Sequence, residues 1–191
     1  TEIMSMAGQL VGTLTTVGVG EADILGLSGA MSALGITAER GASSISKFFV
    51  NMASAVSEGG EQLSLLAEVA GMTSDEFATM FSQDSMGAFE AFIGGLADVN
   101  ASGGDLIKWM DDLGIKEVRM RDTILKLANG YGVLEDALTS SNDAYSEATA
   151  LEQEYQIMLE STSAQWELAK NSVKLFAIEI GQELLPVVLD L

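Results

Sequence analysis

The sequence predicts an all-α protein, built as an array of short helical hairpins followed by a long C-terminal helix with coiled-coil character. The chain has 191 residues, of which 48% are hydrophobic and 6% aromatic, with 20 glycines and one proline. This composition favours closely packed helices with many glycine stops over a sheet. Apolar residues recur every three or four positions, which is the period of an amphipathic helix.

The first predicted helix has apolar spacing from Ile3 onwards and ends near Gly18–Gly20. Residues 3–20 carry no charge and include Gly8-x-x-x-Gly12, a weak signal for helix pairing in membranes, but their Ser, Thr and Gly content favours a packed helix. The chain starts at Thr1 without a basic n-region, so we expect no signal peptide and interpret the sequence as a fragment. Residues 1–20 are then an apolar helix that continues from an upstream region.

Residues 21–134 repeat a pattern of helix, glycine, apolar residue and new helix. It occurs at Leu34-Gly35-Ile36, Ala70-Gly71-Met72 and Leu113-Gly114-Ile115. Glycine can adopt the left-handed conformation that ends a helix, and the next apolar residue can pack back on the last turn, as in a Schellman motif. We therefore predict Gly35, Gly71 and Gly114 as helix stops in a helical-hairpin module.

Two further local signals help to divide this module. Thr73 followed by Glu76 predicts a capping box at the start of a helix. Paired glycines at 59–60, 94–95 and 103–104 lack the spacing of a phosphate-binding loop, so we interpret them as hinges and helix stops.

Residues 135–191 are predicted to form one long helix for self-association. No Gly or Pro interrupts the chain from Ser140 to Ile180, and apolar positions alternate in steps of four and three, the pattern of a left-handed coiled coil. A helix over residues 142–185 would extend about 66 Å at ~1.5 Å per residue, so we expect an elongated protein. The predicted contact residues are Tyr155, Leu159, Trp166, Val173, Phe176 and Ile180.

The charge balance disfavours nucleic-acid binding. There are 9 basic and 28 acidic residues, a formal net charge of -19, and no basic residue precedes Arg40. Affinity for phosphate backbones comes largely from Lys and Arg, so we expect no specific nucleic-acid binding and interpret the acidity as favouring solubility. A later basic cluster is interleaved with acids, which predicts surface salt bridges: Lys108, Lys116, Arg119, Arg121 and Lys126.

The residue types also argue against catalysis. The absence of Cys and His removes the Ser-His and Cys-His forms of nucleophilic catalysis and most common transition-metal sites. The acidic pairs Asp75-Glu76 and Asp111-Asp112 point in directions about 100° apart on a helix, so we interpret them as solvated faces rather than acid/base pairs. We predict that the protein is not an enzyme and has no catalytic residue, metal or cofactor.

Several segments, in order and spacing, carry a resemblance to a known family. They are LGITAERG (34–41), SIS (44–46), LAEVAGMT (66–73), EF (76–77), FEAFIGGL (89–96), LGI (113–115) with Arg119, LKLA (125–128) and IGQELLP (180–186). Together they resemble the core region of bacteriophage tail tape measure proteins of long-tailed siphophages and prophages. The resemblance covers residues 22–191, and Ala42-Ser43 departs from the glycine-rich step expected there.

The resemblance implies a structural and assembly protein. Full-length copies would lie as extended helical oligomers along the tail axis, tube protein would polymerise around them, and helix length would set tail length. The implied partners are a second copy, the tail tube protein, tail assembly chaperones and tail-tip proteins. The implied location is the lumen of the virion tail, after synthesis in the host cytoplasm, with release during DNA ejection. The family has no catalytic residues in this region.

Two alternatives remain at the level of sequence. In the first, residues 3–20 and the glycine-rich hairpins insert into lipid, and the protein forms a passage for DNA through the cell envelope during infection. In the second, the acidic surface makes the chain an adaptor or DNA mimic that binds a basic protein.

Overall fold

The computed structural model describes residues 2–150 and 153, and within them the chain is all-helical without any strand. This confirms the predicted all-α class. A short 3-10 turn, Thr15–Val17, follows the first helix. The helices are α1 (Glu2–Leu14), α2 (Glu21–Ala33), α3 (Ala38–Glu58), α4 (Glu61–Val69), α5 (Ser74–Gln83), α6 (Ser85–Ala101), α7 (Leu106–Asp112), α8 (Val118–Asn129) and α9 (131–150).

The chain divides into two units, Thr1–Tyr145 and Ser146–Leu191. The first unit is larger at both ends than the predicted module, residues 21–134. The predicted boundary between 134 and 135 falls inside α9, where Leu134 and Leu138 are both buried in the core. The six predicted self-association residues, Tyr155, Leu159, Trp166, Val173, Phe176 and Ile180, lie outside the described residues.

The centre of the first unit is aromatic and joins α3 to α6. Phe49 and Phe89 have ring centroids 4.9 Å apart, and Phe48 contacts both Phe89 and Phe92 at 6.0 and 5.2 Å. All four rings are at most 2% exposed. Aromatic pairs at such distances contribute about 0.5–1.5 kcal/mol beyond the area that they bury, so these contacts stabilise the packing of α3 against α6.

Helix α1 belongs to this core rather than to a segment that precedes the module. Met6, Leu10 and Leu14 lie four residues apart on one face and are fully buried. The helix packs against both α2 and α3. None of the described helices combines the length and the apolar character that a bilayer-spanning helix needs.

A capping box begins α5, as the sequence predicts. The Thr73 hydroxyl accepts a hydrogen bond from the Glu76 backbone N–H at 3.3 Å, and the Glu76 carboxylate accepts one from the Thr73 backbone N–H at 2.9 Å. The bond from the Thr73 backbone N–H, together with one that the Thr73 hydroxyl donates to the Glu76 carboxylate at 2.8 Å, lowers the pKa of Glu76. The first four N–H groups of a helix have no partner within it, and a capping box satisfies two donors at the helix start, so this pair favours a helix that starts at Ser74.

The glycine pair at 94–95 does not act as a helix stop, because α6 runs through both residues. The reason is a close approach between helices. A Cβ at Gly95 would overlap the carbonyl oxygen of Val69, at the last turn of α4, and would also meet the N atom of Ala70 at 3.3 Å. Glycine is therefore needed at 95 for packing.

Gly95→Ala is expected to lower the free energy of unfolding by about 1–3 kcal/mol, because α4 and α6 must separate to admit the methyl group. Urea unfolding followed by circular dichroism measures this change. The matched control is Gly12→Ala in α1, where an added Cβ meets nothing within 4 Å. The control should gain up to ~1 kcal/mol from helix propensity, and equal losses in both variants would contradict the close approach.

Candidate interaction surfaces

The three predicted stop glycines occupy the same turn geometry. Gly35 has φ +67°, Gly71 +71° and Gly114 +69°. At the first turn, Gly35 N–H donates to the Ser32 carbonyl at 3.1 Å and Ile36 N–H donates to the Met31 carbonyl at 2.8 Å, which is the bond pair of a Schellman motif. The same two bonds recur around Gly71 and Gly114.

The residue after each of these glycines packs inward. Ile36 and Ile115 are each 4% exposed, and Met72 is partly buried against the core. The apolar side chain thus covers the end of the helix that the glycine has just terminated. Each turn therefore both ends a helix and attaches the next segment to the core.

Three of the five residues of the basic cluster form the predicted salt bridges, while Lys116 and Arg119 form none among the described residues. Two are made within a helix turn, Lys108–Asp112 at 3.1 Å and Lys126–Asp122 at 3.4 Å, and Arg121–Asp111 joins α8 to α7. A fourth, Lys47–Glu117 at 2.9 Å, joins α3 to the residue that precedes α8. Most of these side chains are exposed, and pairs of this kind contribute only about 0–1 kcal/mol each.

The predicted solvated carboxylate pairs have local structural partners. In the pair Asp75-Glu76, the Glu76 carboxylate closes the capping box. In the pair Asp111-Asp112, each carboxylate takes part in one of the salt bridges described above. Within residues 2–150, no three acidic side chains lie close enough to hold a metal ion.

A groove with three basic side chains in its lining lies where α2 ends, α3 begins and α8 begins. Its volume is about 340 Å³ and its lining includes Arg40, Val118, Arg119, Asp122 and Lys126, which we call the basic groove. Arg40 and Arg119 have no ion-pair partner among the described residues. Val118 is 81% exposed at its edge, so the groove combines positive charge with an exposed apolar side chain.

An acidic surface lies near the start of α2, where α6 begins and α9 passes. We call it the acidic end; it comprises Asp23, Asp84, Glu90, Glu135 and Asp143. Four of these five line a groove of about 320 Å³ that has no Lys or Arg in its lining, the exception being Glu135. The acidic end therefore has the opposite charge to the basic groove.

The groups around Glu90 repel its negative charge. Partial burial raises the pKa of Glu90, and the carboxylates of Glu135, Asp84 and Asp23 raise it further. Burial also raises the pKa of Tyr131, with Glu90 as the next cause. Close carboxylates favour the protonated form because that form removes a like-charge contact.

Hydrogen bonds hold α9 against α2 beside these acids. The Ser141 hydroxyl donates to the Ala22 carbonyl at 2.6 Å, and Asn142 Nδ2 donates to Asp23 Oδ1 at 2.7 Å. These contacts join residues 119 positions apart in the chain. The negative charges of the acidic end are thus brought together by tertiary packing, in spite of their mutual repulsion.

A comparison of the chain with protein-family models, curated proteins and solved structures finds no match in any of the three. Function is therefore inferred from the residues and their arrangement. Sequence reasoning missed both the basic groove and the acidic end, because each joins residues from distant parts of the chain. For the basic groove, the sequence shows that Arg40 is the first basic residue and that Arg119 and Lys126 belong to a basic cluster, but it does not show that they lie together.

Glu90→Gln is expected to raise the free energy of unfolding at neutral pH. The folded state raises the pKa of Glu90 above its ordinary value of 4.5, so ionised Glu90 destabilises the fold. That penalty is relieved as the pH falls through the raised pKa, and it is absent below the unfolded pKa. The extra free energy of unfolding of the variant should therefore decrease as the pH falls through the raised pKa, and it should be absent below the unfolded pKa.

Urea unfolding at a series of pH values measures this difference. The matched control is Glu68→Gln, which removes an exposed carboxylate from α4, outside the acidic end. The control should keep the pH dependence of the native chain. A Glu90→Gln variant that is less stable than the native chain at neutral pH would show that the carboxylate makes a net favourable contact.

Proposed function

We propose that this chain is a structural and assembly module of a bacteriophage tail tape measure protein. It acts through the reach and packing of its helices, and no group in it performs turnover. Its predicted partners are other copies of the same chain, the tail tube protein, tail assembly chaperones and tail-tip proteins. Its proposed place is the lumen of the tail.

The observation that supports this proposal best is the repeated helix-ending turn. The same bond pair and left-handed glycine occur at Gly35, Gly71 and Gly114. These three glycines fall within segments that carry the resemblance to tape measure proteins, 34–41, 66–73 and 113–115, whereas Gly18 and Gly103, which have the same turn, lie outside them. A repeated turn of this kind supports interpretation of the first unit as an array of short helical hairpins.

The C-terminal residues are proposed to provide self-association. Their apolar residues follow the alternating spacing of a coiled-coil seam, from Tyr155 to Ile180. A long helix of this type would set distance in proportion to residue number, which is what a length-setting scaffold requires.

The described residues favour this scaffold role over insertion into lipid. Met6, Leu10 and Leu14, which carry much of the apolar character of the N-terminal helix, are fully buried in the core of the first unit. Insertion of α1 would remove these side chains from their packing, and large buried side chains stabilise a core by about 2–5 kcal/mol each. We therefore propose no membrane role for this helix.

Val173→Asp together with Ile180→Asp is expected to dissociate oligomers of the chain while leaving the first unit folded. Two carboxylates on the predicted seam would have to be buried without partners, which a coiled coil does not tolerate. Light scattering coupled to size exclusion measures the oligomer mass, and circular dichroism reports helix content. Asn171→Asp with Gln182→Asp adds the same charge off the seam and should keep the native mass. An unchanged mass in the seam variant contradicts the proposed seam.

The length of the parent gene is expected to set the length of the tail. An in-frame insertion of about 100 helix-forming residues should lengthen tails by about 150 Å, at ~1.5 Å per residue. An insertion of half that length should give half the increase, which controls for indirect effects on assembly. Electron microscopy of virions measures both, and tails of unaltered length would overturn the proposal.

A further inference from the structure

We propose that the basic groove of one copy of this chain binds the acidic end of a second copy. The proposal concerns a surface of the first unit and does not depend on the role in a phage tail. It is distinct from the predicted seam at Tyr155–Ile180, which lies in the other unit.

The two surfaces lie at opposite ends of one helix. Asp23 is in the first turn of α2, and the Schellman turn at Gly35, which lines the basic groove, follows its last residue. The helix has 13 residues and is therefore about 20 Å long at ~1.5 Å per residue. One copy cannot bring its own two surfaces together, because both belong to the same packed unit.

The basic groove has the chemistry of a carboxylate-binding surface. Arg40 and Arg119 present two guanidinium groups without ion-pair partners among residues 2–150, and Lys126 adds a third cation that already contacts Asp122. A guanidinium group matches the geometry of a carboxylate and can donate two parallel hydrogen bonds to it. Val118 is 81% exposed beside Arg119 and adds apolar surface, a combination that is common in protein interfaces.

The acidic end supplies the complementary charge. Its carboxylates crowd one another, and four of them surround a groove with no cation in its lining. A guanidinium group from another molecule would reduce this repulsion. Glu135 and Asp143 are exposed on α9, and Asp143 lines this groove.

A second copy of the chain is the partner that these charges favour. The chain carries 28 acidic residues against 9 basic ones, so any approach of two copies through other surfaces brings mainly like charges together. Pairing of the basic groove with the acidic end brings opposite charges together. A nucleic acid is a poor alternative partner, because three cations compete with a net charge of -19.

Cysteine cross-linking in the full chain tests this contact, since the native chain has no cysteine. One copy carries Val118→Cys, at the edge of the basic groove, and the other carries Thr139→Cys, in the lining of the acidic groove. The equimolar mixture is oxidised mildly and the products are separated by mass. The proposal expects mixed dimers well above the statistical proportion. Same-site dimers in equal or greater yield would overturn it.

Charge reversal tests whether the named side chains cause the pairing. Arg40→Glu with Arg119→Glu in the Val118→Cys copy should lower the yield of mixed dimers about tenfold. Lys108→Glu with Lys116→Glu makes the same change in net charge outside the groove and should leave the yield unchanged. An equal loss in both variants would show a nonspecific effect of net charge and would contradict the proposal.

A charge swap completes the test. Glu135→Lys with Asp143→Lys in the Thr139→Cys copy should also lower the yield of mixed dimers. Mixing that copy with the Val118→Cys copy that carries Arg40→Glu and Arg119→Glu should restore pairing, because opposite charges again face each other. Failure of the swap to restore any pairing overturns the assignment of these partners. Circular dichroism of each variant verifies that the helices are retained.

The same experiment in the Val173→Asp, Ile180→Asp chain separates this contact from the seam. Mixed dimers that persist in that chain support a contact of the first unit by itself. Two results together would overturn the contact. Mixed dimers would be lost in the Val173→Asp, Ile180→Asp chain, and Arg40→Glu with Arg119→Glu would have no effect on their yield in the native chain. That result would leave the proposed scaffold function untouched.

Discussion

The left-handed backbone at Gly35, Gly71 and Gly114 is the constraint on which the first unit depends. Each α-helix leaves four carbonyl groups without a partner at its end, and a helix that stops inside a packed unit must satisfy them. The Schellman bonds satisfy two of these carbonyls and aim the next residue at the core. Only glycine adopts this conformation without steric cost, so glycine at these three positions allows the preceding helix to end in a Schellman turn.

Local features of the fold could be predicted well from the sequence. The first helix was predicted to end near Gly18–Gly20 and is followed by the turn Thr15–Val17, and the predicted capping box at Thr73 and Glu76 is present. These features depend on neighbouring residues, and the sequence presents neighbours together. The period of apolar residues likewise identified the buried face of α1, with Met6, Leu10 and Leu14.

Tertiary features could not be predicted in the same way. Gly95 was misinterpreted because its role is set by Val69, on another helix, and glycine alone does not reveal whether it ends a helix or admits a neighbour. The basic groove joins Arg40 to Arg119, and the acidic end joins Asp23 to Glu135. No periodic pattern links residues so far apart. Considering each run of charges by itself therefore identified the salt bridges of Lys108, Arg121 and Lys126. It did not show that Arg40 and Arg119 lie in one groove.

The packing of α1 and α9 into one core with the helices between them has a mechanical consequence for a protein proposed to work by length. As a single straight helix, residues 2–145 would extend about 215 Å, whereas a packed unit of this size has a radius of gyration of about 15 Å. Most of the contour length of this region is therefore taken up by folding into the packed unit. A force applied to both ends of the unit would remove α1 and α9 from the core and extend the chain. This region would therefore act as an extensible link rather than as a rigid rod.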